Sequence, residues 1–219
     1  MKRTSLTHPL QIAALSAGAE CGRVGITFCP GKLDRHAMSG HWERDLALDL
    51  DRIRDWGAAA VVTLVEPQEL TLLRVERLGE EVLRRGMLWF HLPIVDVSTP
   101  DEQFERQWNA TAGELHTLLR SGRDVLVHCR GGLGRAGMIA GRLLVELGMK
   151  PATAIERVRA VRPGAIQTRE QERYVLGVRR QINRYGSGLF GREDLAHLLI
   201  DVKRRLHGGS SVCVGWSVV

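Results

Sequence analysis

The chain is poor in aromatic side chains, which make up 5% of its 219 residues, and it has only four cysteines. Few rings are therefore available for nucleobases to stack on. The basic residues are spread over helix faces such as RVERLGEEVLRR and DVKRRL and do not form a patch. A nucleic-acid surface needs clustered cations interleaved with rings, so no nucleic-acid partner is expected. Cys21, Cys29, Cys129 and Cys213 are scattered, and no pair has the spacing of a zinc site or a disulfide framework. Free thiols, no metal and a cytoplasmic setting are the expectation. No apolar run approaches the ~18 residues of a membrane span. Lys2 and Arg3 ahead of LQIAALSAGA resemble a secretory leader, but Gln11 and Ser16 interrupt that run and Pro9 stands at its entrance. A leader is therefore not expected. Internal repeats and low-complexity tracts are also missing.

The 44% hydrophobic and 26% charged residues belong to a globular protein, and the length suits one domain with a short appendage. A formal charge of +6 favours anionic partners without naming one. Three apolar runs, 58–65, 87–92 and 124–129, are continuous and not alternating, as parallel strands covered on both faces should be. Helical stripes separate them. One spans 41–57 through Leu46, Leu50 and Ile53; another runs through Val75, Leu78, Val82 and Leu83. A third has Thr99 as N-cap, Pro100 at the first position and Glu102 closing a capping box. Further helices are expected around Ile139, Leu143 and Leu147, over 151–161, and from Thr168 to Arg184. The alternation predicts an α/β fold with a mostly parallel central sheet flanked by helices. Residues 1–23 read as an N-terminal extension and 24–185 as the main domain. Residues 186–219 read as a linker, an amphipathic helix through Leu195, Leu198, Leu199 and Val202, and a strand-like tail whose role the letters leave open.

The stretch VLVHCRGGLGRAG, residues 125–137, ends a buried strand in a glycine-rich turn. GLGRAG spells the G-x-G-x-x-G of a dinucleotide-binding turn. That motif needs a second strand ending in an acid about 20 residues on, whereas Pro151 opens another helix here and Glu156 lies inside it. The missing Gly-Lys-Ser/Thr excludes a Walker A loop. Cys129 and Arg135 suggest different chemistry. Glycines 131, 132 and 134 let the backbone curl so that successive N–H groups point inward, and the following helix aims its positive end at the same place. Such a field lowers a thiol's pKa, and an arginine fork can hold two phosphoryl oxygens. The residues then describe a thiolate nucleophile under a phosphoryl group; the alternative is a buried thiol beside an ordinary turn.

HCRGGLGRAG closely resembles the His-Cys-x5-Arg loop of cysteine-dependent protein phosphatases, the tyrosine and dual-specificity superfamily. PIVDVSTPD and GAIQT are similar to its kinase-associated phosphatase branch and bacterial relatives. The resemblance covers about residues 24 to 184. It implies a protein-tyrosine-phosphatase-like fold, no cofactor, and a phosphorylated protein or peptide as substrate. Cys129 would be the nucleophile, with Arg130, Gly131, Gly132, Leu133, Gly134 and Arg135 binding phosphate. Asp96, on a loop after the strand ending at Leu92, would be the general acid. Asp101 competes, but as an acid in the first turn of a helix it is explained by the dipole. Gln167 would hold the hydrolytic water, with Gln171 second to it and equally readable as a helix cap. His128 would orient the loop, or simply pack. Glu66, at the end of another strand on this edge, would orient Arg135 or a lid, or cap a turn.

Ala136 departs from the family, which usually carries Ser or Thr there to steady the departing thiolate. The resemblance thus implies a slower second step. Hydrolysis of phosphotyrosine, with phosphoserine and phosphothreonine as further substrates, through a phosphocysteine is the leading expectation. A phosphoprotein-binding pseudophosphatase and a thiolate-loop arsenate- or sulfur-handling enzyme are the alternatives. Arg130 is the loop's only extra positive charge, which is little for a polyphosphorylated lipid headgroup.

Overall fold

In the computed structural model, which describes residues 2–37 and 39–179, the run DVLVHC becomes the central strand of a five-stranded sheet. Val125 and Val127 pack into one apolar layer and Leu126 into the other, so a strand covered on both faces has no polar side to alternate with. The elements in chain order are β1 (Ala13–Ser16), β2 (Arg23–Phe28), β3 (Leu33–Asp34), β4 (Trp42–Glu43), α1 (Leu46–Trp56), β5 (Ala58–Thr63), α2 (Pro67–Leu72), α3 (Leu78–Arg84), β6 (Leu88–His91), α4 (Glu102–Arg120), β7 (Asp124–Cys129), α5 (Gly134–Glu146), α6 (Pro151–Val161) and α7 (Arg169–Gly177). The sheet order is β1-β2-β7-β5-β6. All pairs are parallel except β1 against β2. The expected α/β architecture with a mostly parallel sheet is present.

One layer joins Phe104, Trp108 and Leu115 of α4, Ile139 and Leu143 of α5, and residues of α6 and α7 to the sheet. The other joins Leu50 and Ile53 of α1, Leu70 of α2, and Leu78 and Val82 of α3 to its opposite face. α5 is buried along its whole length between its neighbours and the sheet. It therefore holds the glycine-rich loop at its N-terminus against a rigid frame.

Several boundaries differ from the sequence reading. The stripe assigned to 41–57 becomes a helix only from Leu46, because the Asp45 carboxylate caps the Leu48 amide at 2.9 Å and Trp42–Glu43 pairs as a strand with β3. The stripe through Val75 becomes a helix only from Leu78, Val75 lying outside it just after Arg74, whose φ of 57 no right-handed helix can contain. The N-cap of α4 is Asp101 and not Thr99, its carboxylate accepting the Phe104 amide at 2.7 Å. α7 ends at Gly177, with Val178 extended at ψ 135, short of the expected Arg184. The two strands expected at 58–65 and 87–92 are shorter, as β5 and β6, while 124–129 and 151–161 match their elements. β1 and β2 were not read from the sequence. In β2 the signal is broken by Gly25, where a Cβ would stand 2.8 Å from the Trp56 ring. The linker, helix and tail read beyond 179, including Leu195, Leu198, Leu199, Val202 and Cys213, lie outside the described residues.

Candidate active site

β7 delivers Cys129 to the carboxyl edge of the sheet, 3% exposed, and the chain then turns through Arg130–Leu133 into α5. Gly132 makes that turn possible. Its φ is +68, and a Cβ there would lie 2.5 Å from the Phe28 amide nitrogen, which no side-chain motion can relieve. The Gly132 amide points back at the sulfur and donates to Cys129 Sγ at 3.2 Å. Arg130 does not face into this loop freely: its guanidinium donates to Asp34 at 3.1 and 3.3 Å.

Arg135, on the first turn of α5, is 1% exposed. Its Nη1 donates to Glu69 Oε2 at 2.5 Å and to the Ile94 carbonyl at 2.9 Å, and its Nη2 donates to Glu69 Oε1 at 2.9 Å. Nη2 also pairs with Asp96 Oδ1 at 2.7 Å. Nε is buried without a partner. Burial opposes the guanidinium's charge, but the Glu69 hydrogen bonds and nearby negative groups outweigh it and hold the cation above its ordinary value. Burial also pushes the Glu69 carboxyl up, and the Arg135 bonds with the Glu66 amide pull it further down, leaving it below the usual carboxylate range. The residue that orients Arg135 is thus Glu69, one helical turn beyond Glu66. Glu66 instead begins α2 and accepts from Gln68 at 2.8 Å. The sequence offered no way to choose between these two acids, since only the tilt of α2 decides which one reaches the arginine.

Asp96 sits on the loop after β6, about half exposed, between the exposed Val95 and Val97. Val97 has φ 61, an outlying conformation for a β-branched residue, and its amide donates to Asp96 Oδ1 at 3.0 Å. A second such residue, Ile166 with φ 57, precedes Gln167. Gln167 overhangs Gly134, where a Cβ would stand 2.7 Å from its Oε1. Gln171 is fully buried and joins the two loops: it accepts the Gln167 amide at 3.0 Å and donates to the Ser98 carbonyl at 3.2 Å. Thr168 caps the Gln171 amide at 3.2 Å, so the capping role expected of this pair is real, though the Gln171 side chain closes on residue 167 and not on Thr168.

His128 is fully buried, and burial pushes its pKa down to about 3, so the ring is neutral at physiological pH. Thr63 Oγ1 accepts from Trp89 Nε1 at 2.9 Å and shares a hydrogen bond with His128 Nε2, also at 2.9 Å. The other ring nitrogen, Nδ1, is buried without a hydrogen-bond partner. Among the described residues no three His, Cys, Asp or Glu converge as a metal site would require. A cavity of about 370 Å³ borders the Asp96 loop through Val95, Ser98 and Asp101, but neither Cys129 nor Arg135 lines it.

A buried cysteine under its own loop amide, a buried arginine with one nitrogen free, and an aspartate on a neighbouring loop therefore meet at one sheet edge. The family model described as the Swiss Army Knife protein DSP-PTPase phosphatase domain matches residues 37–175. The chain belongs to the dual-specificity and protein-tyrosine phosphatase family. Rat cyclin-dependent kinase inhibitor 3 is 34% identical over 145 residues, covering 65% of this chain and 67% of that protein. A crystal structure of kinase-associated phosphatase, with its catalytic-site cysteine replaced by serine, superposes with a TM-score of 0.66 at 30% identity. It covers 76% of this chain and 92% of that one. Tk-PTP in its active form follows with a TM-score of 0.56 at 29% identity, covering 78% and 98%. The probable protein tyrosine phosphatase type IVA A of Dictyostelium discoideum is 25% identical over 58% of this chain and 70% of its own. Membership makes phosphatase chemistry the frame for this site. Among the described residues no helix is long and apolar enough to cross a membrane.

Proposed function

We propose that this phosphatase hydrolyses phosphotyrosine, and phosphoserine or phosphothreonine beside it, on protein substrates through a phosphocysteine. The observations that carry the reading are the Gly132 amide aimed at Cys129 Sγ and the buried, unpartnered Nε of Arg135, a guanidinium on which the charge of that sulfur acts. The entering phosphoryl oxygens take the Arg135 Nε and displace Asp96 from Nη2. Sγ attacks phosphorus; the S–P bond forms as the P–O bond to the leaving group breaks, and Asp96 in its acid form protonates that oxygen. Water held by the Gln167 side-chain amide beside Gly134 then attacks phosphorus as Asp96 takes its proton; the new P–O bond forms as the S–P bond breaks, so that the Cys129 thiolate leaves and inorganic phosphate is released. His128, neutral and braced by Thr63, keeps the strand end still.

Protein substrates suit the charge of the loop. Arg130 is already engaged by Asp34, so it adds little attraction for a polyphosphorylated lipid headgroup. The names of kinase-associated phosphatase and cyclin-dependent kinase inhibitor 3 point the same way, toward phosphorylated kinases or their partners as the class to screen first.

Hydrolysis of para-nitrophenyl phosphate in chelator tests the reading. Wild type should turn over, Cys129→Ser should lose at least about a thousandfold, and Asp96→Asn should lose roughly a hundredfold. Full activity in the serine variant would remove Cys129 from the chemistry. Ala136 supports a second reading, a phosphoprotein-binding protein that turns over slowly, because a buried alanine has no hydroxyl to help the thiolate leave. Pre-steady-state kinetics should show a burst of nitrophenol that Ala136→Ser converts to faster steady turnover. If there is no burst and Ser changes nothing, the slow-second-step reading is wrong.

A further inference from the structure

Three consecutive carbonyls of the glycine-rich loop are held from outside by cations that neither the family loop nor its acid accounts for. The Lys32 ammonium donates to the Arg130 carbonyl at 3.2 Å, which also receives the Cys29 amide at 3.4 Å. Arg162 donates through Nε to the Gly132 carbonyl at 2.9 Å and through Nη2 to the Gly131 carbonyl at 3.3 Å. In a trans peptide the C=O of one residue and the N–H of the next point in opposite directions. Fastening the carbonyls of 130, 131 and 132 to the outer side therefore turns the amides of 131, 132 and 133 to the inner side. The Gly132 amide is seen doing this, aimed at Cys129 Sγ.

The charge on these two residues adds a second argument. The buried arginines of the fold each have a carboxylate: Arg44 has Asp49, Arg135 has Glu69, and Arg142 has Glu105 and Glu146. Lys32, only 3% exposed, forms no ion pair among the described residues, and its neighbour Asp34 is committed to Arg130. Its ammonium rests over the faces of Phe28 and Trp42, 5.0 and 5.4 Å from the ring centroids. The half-buried Arg162 likewise has only carbonyl partners among the described residues. An uncompensated buried cation is costly unless a counter-ion arrives. The Cys129 sulfur is among the groups whose negative charge acts on both Lys32 and Arg162.

Resting on the phosphatase reading above, we infer that Lys32 and Arg162 are positioning residues: they orient the loop amides toward the phosphoryl group and leave their positive charge for that dianion to neutralise. Tungstate, a tetrahedral oxyanion that mimics the phosphoryl group, is the probe. Arg162→Gln should bind tungstate at least tenfold more weakly than wild type in calorimetry and lose kcat more than KM. Arg162→Lys, which can satisfy one carbonyl where the fork satisfies two, should fall between them. Added methylguanidinium should restore much of the binding to Arg162→Ala, an effect that a merely structural role would not produce. Lys32→Met should weaken tungstate in the same sense.

If wild type binds tungstate and hydrolyses aryl phosphate while Arg162→Gln and Lys32→Met do both as well, this inference alone is overturned. A folded wild type that neither binds tungstate nor hydrolyses aryl phosphate removes the phosphatase reading and this inference with it. Should Lys32→Met fail to fold, the Arg162 series with its rescue decides.

Discussion

Glu69 shows how one residue can govern the site without touching a substrate. It is 7% exposed and closes both terminal nitrogens of Arg135, a guanidinium fixed against the Ile94 carbonyl. Removing one partner of a buried pair leaves the other charge without compensation, at about 3–5 kcal/mol. Glu69→Gln is accordingly expected to lower stability in urea denaturation by about 3 kcal/mol. Because the guanidinium then loses its fixed pose, aryl phosphate turnover should fall by roughly a hundredfold. Glu66→Gln is the control. Its carboxylate meets Gln68 and, in the capping box of α2, the Glu69 amide, and glutamine keeps an acceptor there, so the variant should change neither quantity appreciably. Equal losses in the two variants would mean that Arg135 is oriented by the charge of α2 as a whole and not by this contact. Cys129 and Arg135 were legible in the sequence because only five residues of local chain connect them. Glu69, Lys32 and Arg162 were not, because each reaches the loop from a distant segment.

At the scale of elements, the two loops that flank the sulfur share a feature that regular helices and strands lack. Val97 follows Asp96 with φ 61, and Ile166 precedes Gln167 with φ 57. β-branched residues in this region cost on the order of 1–3 kcal/mol each, and such strain persists only where surroundings enforce it. Here Gln171 ties the two segments together through the Gln167 amide and the Ser98 carbonyl. Val97 is 62% exposed, so little packing is lost when it is replaced. Val97→Asn should therefore raise unfolding free energy by about 1 kcal/mol, since asparagine tolerates this conformation. Ile166 is 2% exposed, and the same substitution there should destabilise because lost burial outweighs relieved strain. A stability loss at Val97→Asn would show that the exposed valine makes a contact worth more than its strain. The misplaced start of α4 belongs to this scale too. Thr99 and Asp101 are both good caps by residue type, and only the backbone path out of the Asp96 loop selects Asp101.

Over the whole molecule, buried ionisable groups set the direction in which pH acts. His128 stays neutral in the fold, held down to about 3 by burial, whereas its ordinary value is 6.5. Below 6.5 the unfolded chain takes up a proton that the folded one refuses, so stability should fall with pH by up to about 1.4 kcal/mol per unit. Glu69 and Glu146 add to this slope. Burial pushes both up, but Arg135 holds the first and His116 with Arg142 hold the second below the ordinary 4.5, so below that value each contribution is lost as well. Urea unfolding should be nearly flat from about pH 7 to 8, decline through pH 5.5 and steepen below 4.5. His128→Asn should remove the first decline; a wild-type profile flat down to pH 5 would contradict a neutral buried imidazole. The strand-loop-helix unit with its cysteine and arginine, the parallel sheet and the capping Thr168 could be read from the letters alone, because strand burial, glycine placement and capping act over a few neighbouring residues. The partner of Arg135, the cations behind the loop, the bridge through Gln171 and the entry of β1 and β2 into the sheet depend on groups far apart in the chain. Their contacts exist only once packing has set the angles between elements, and no local pattern encodes those angles.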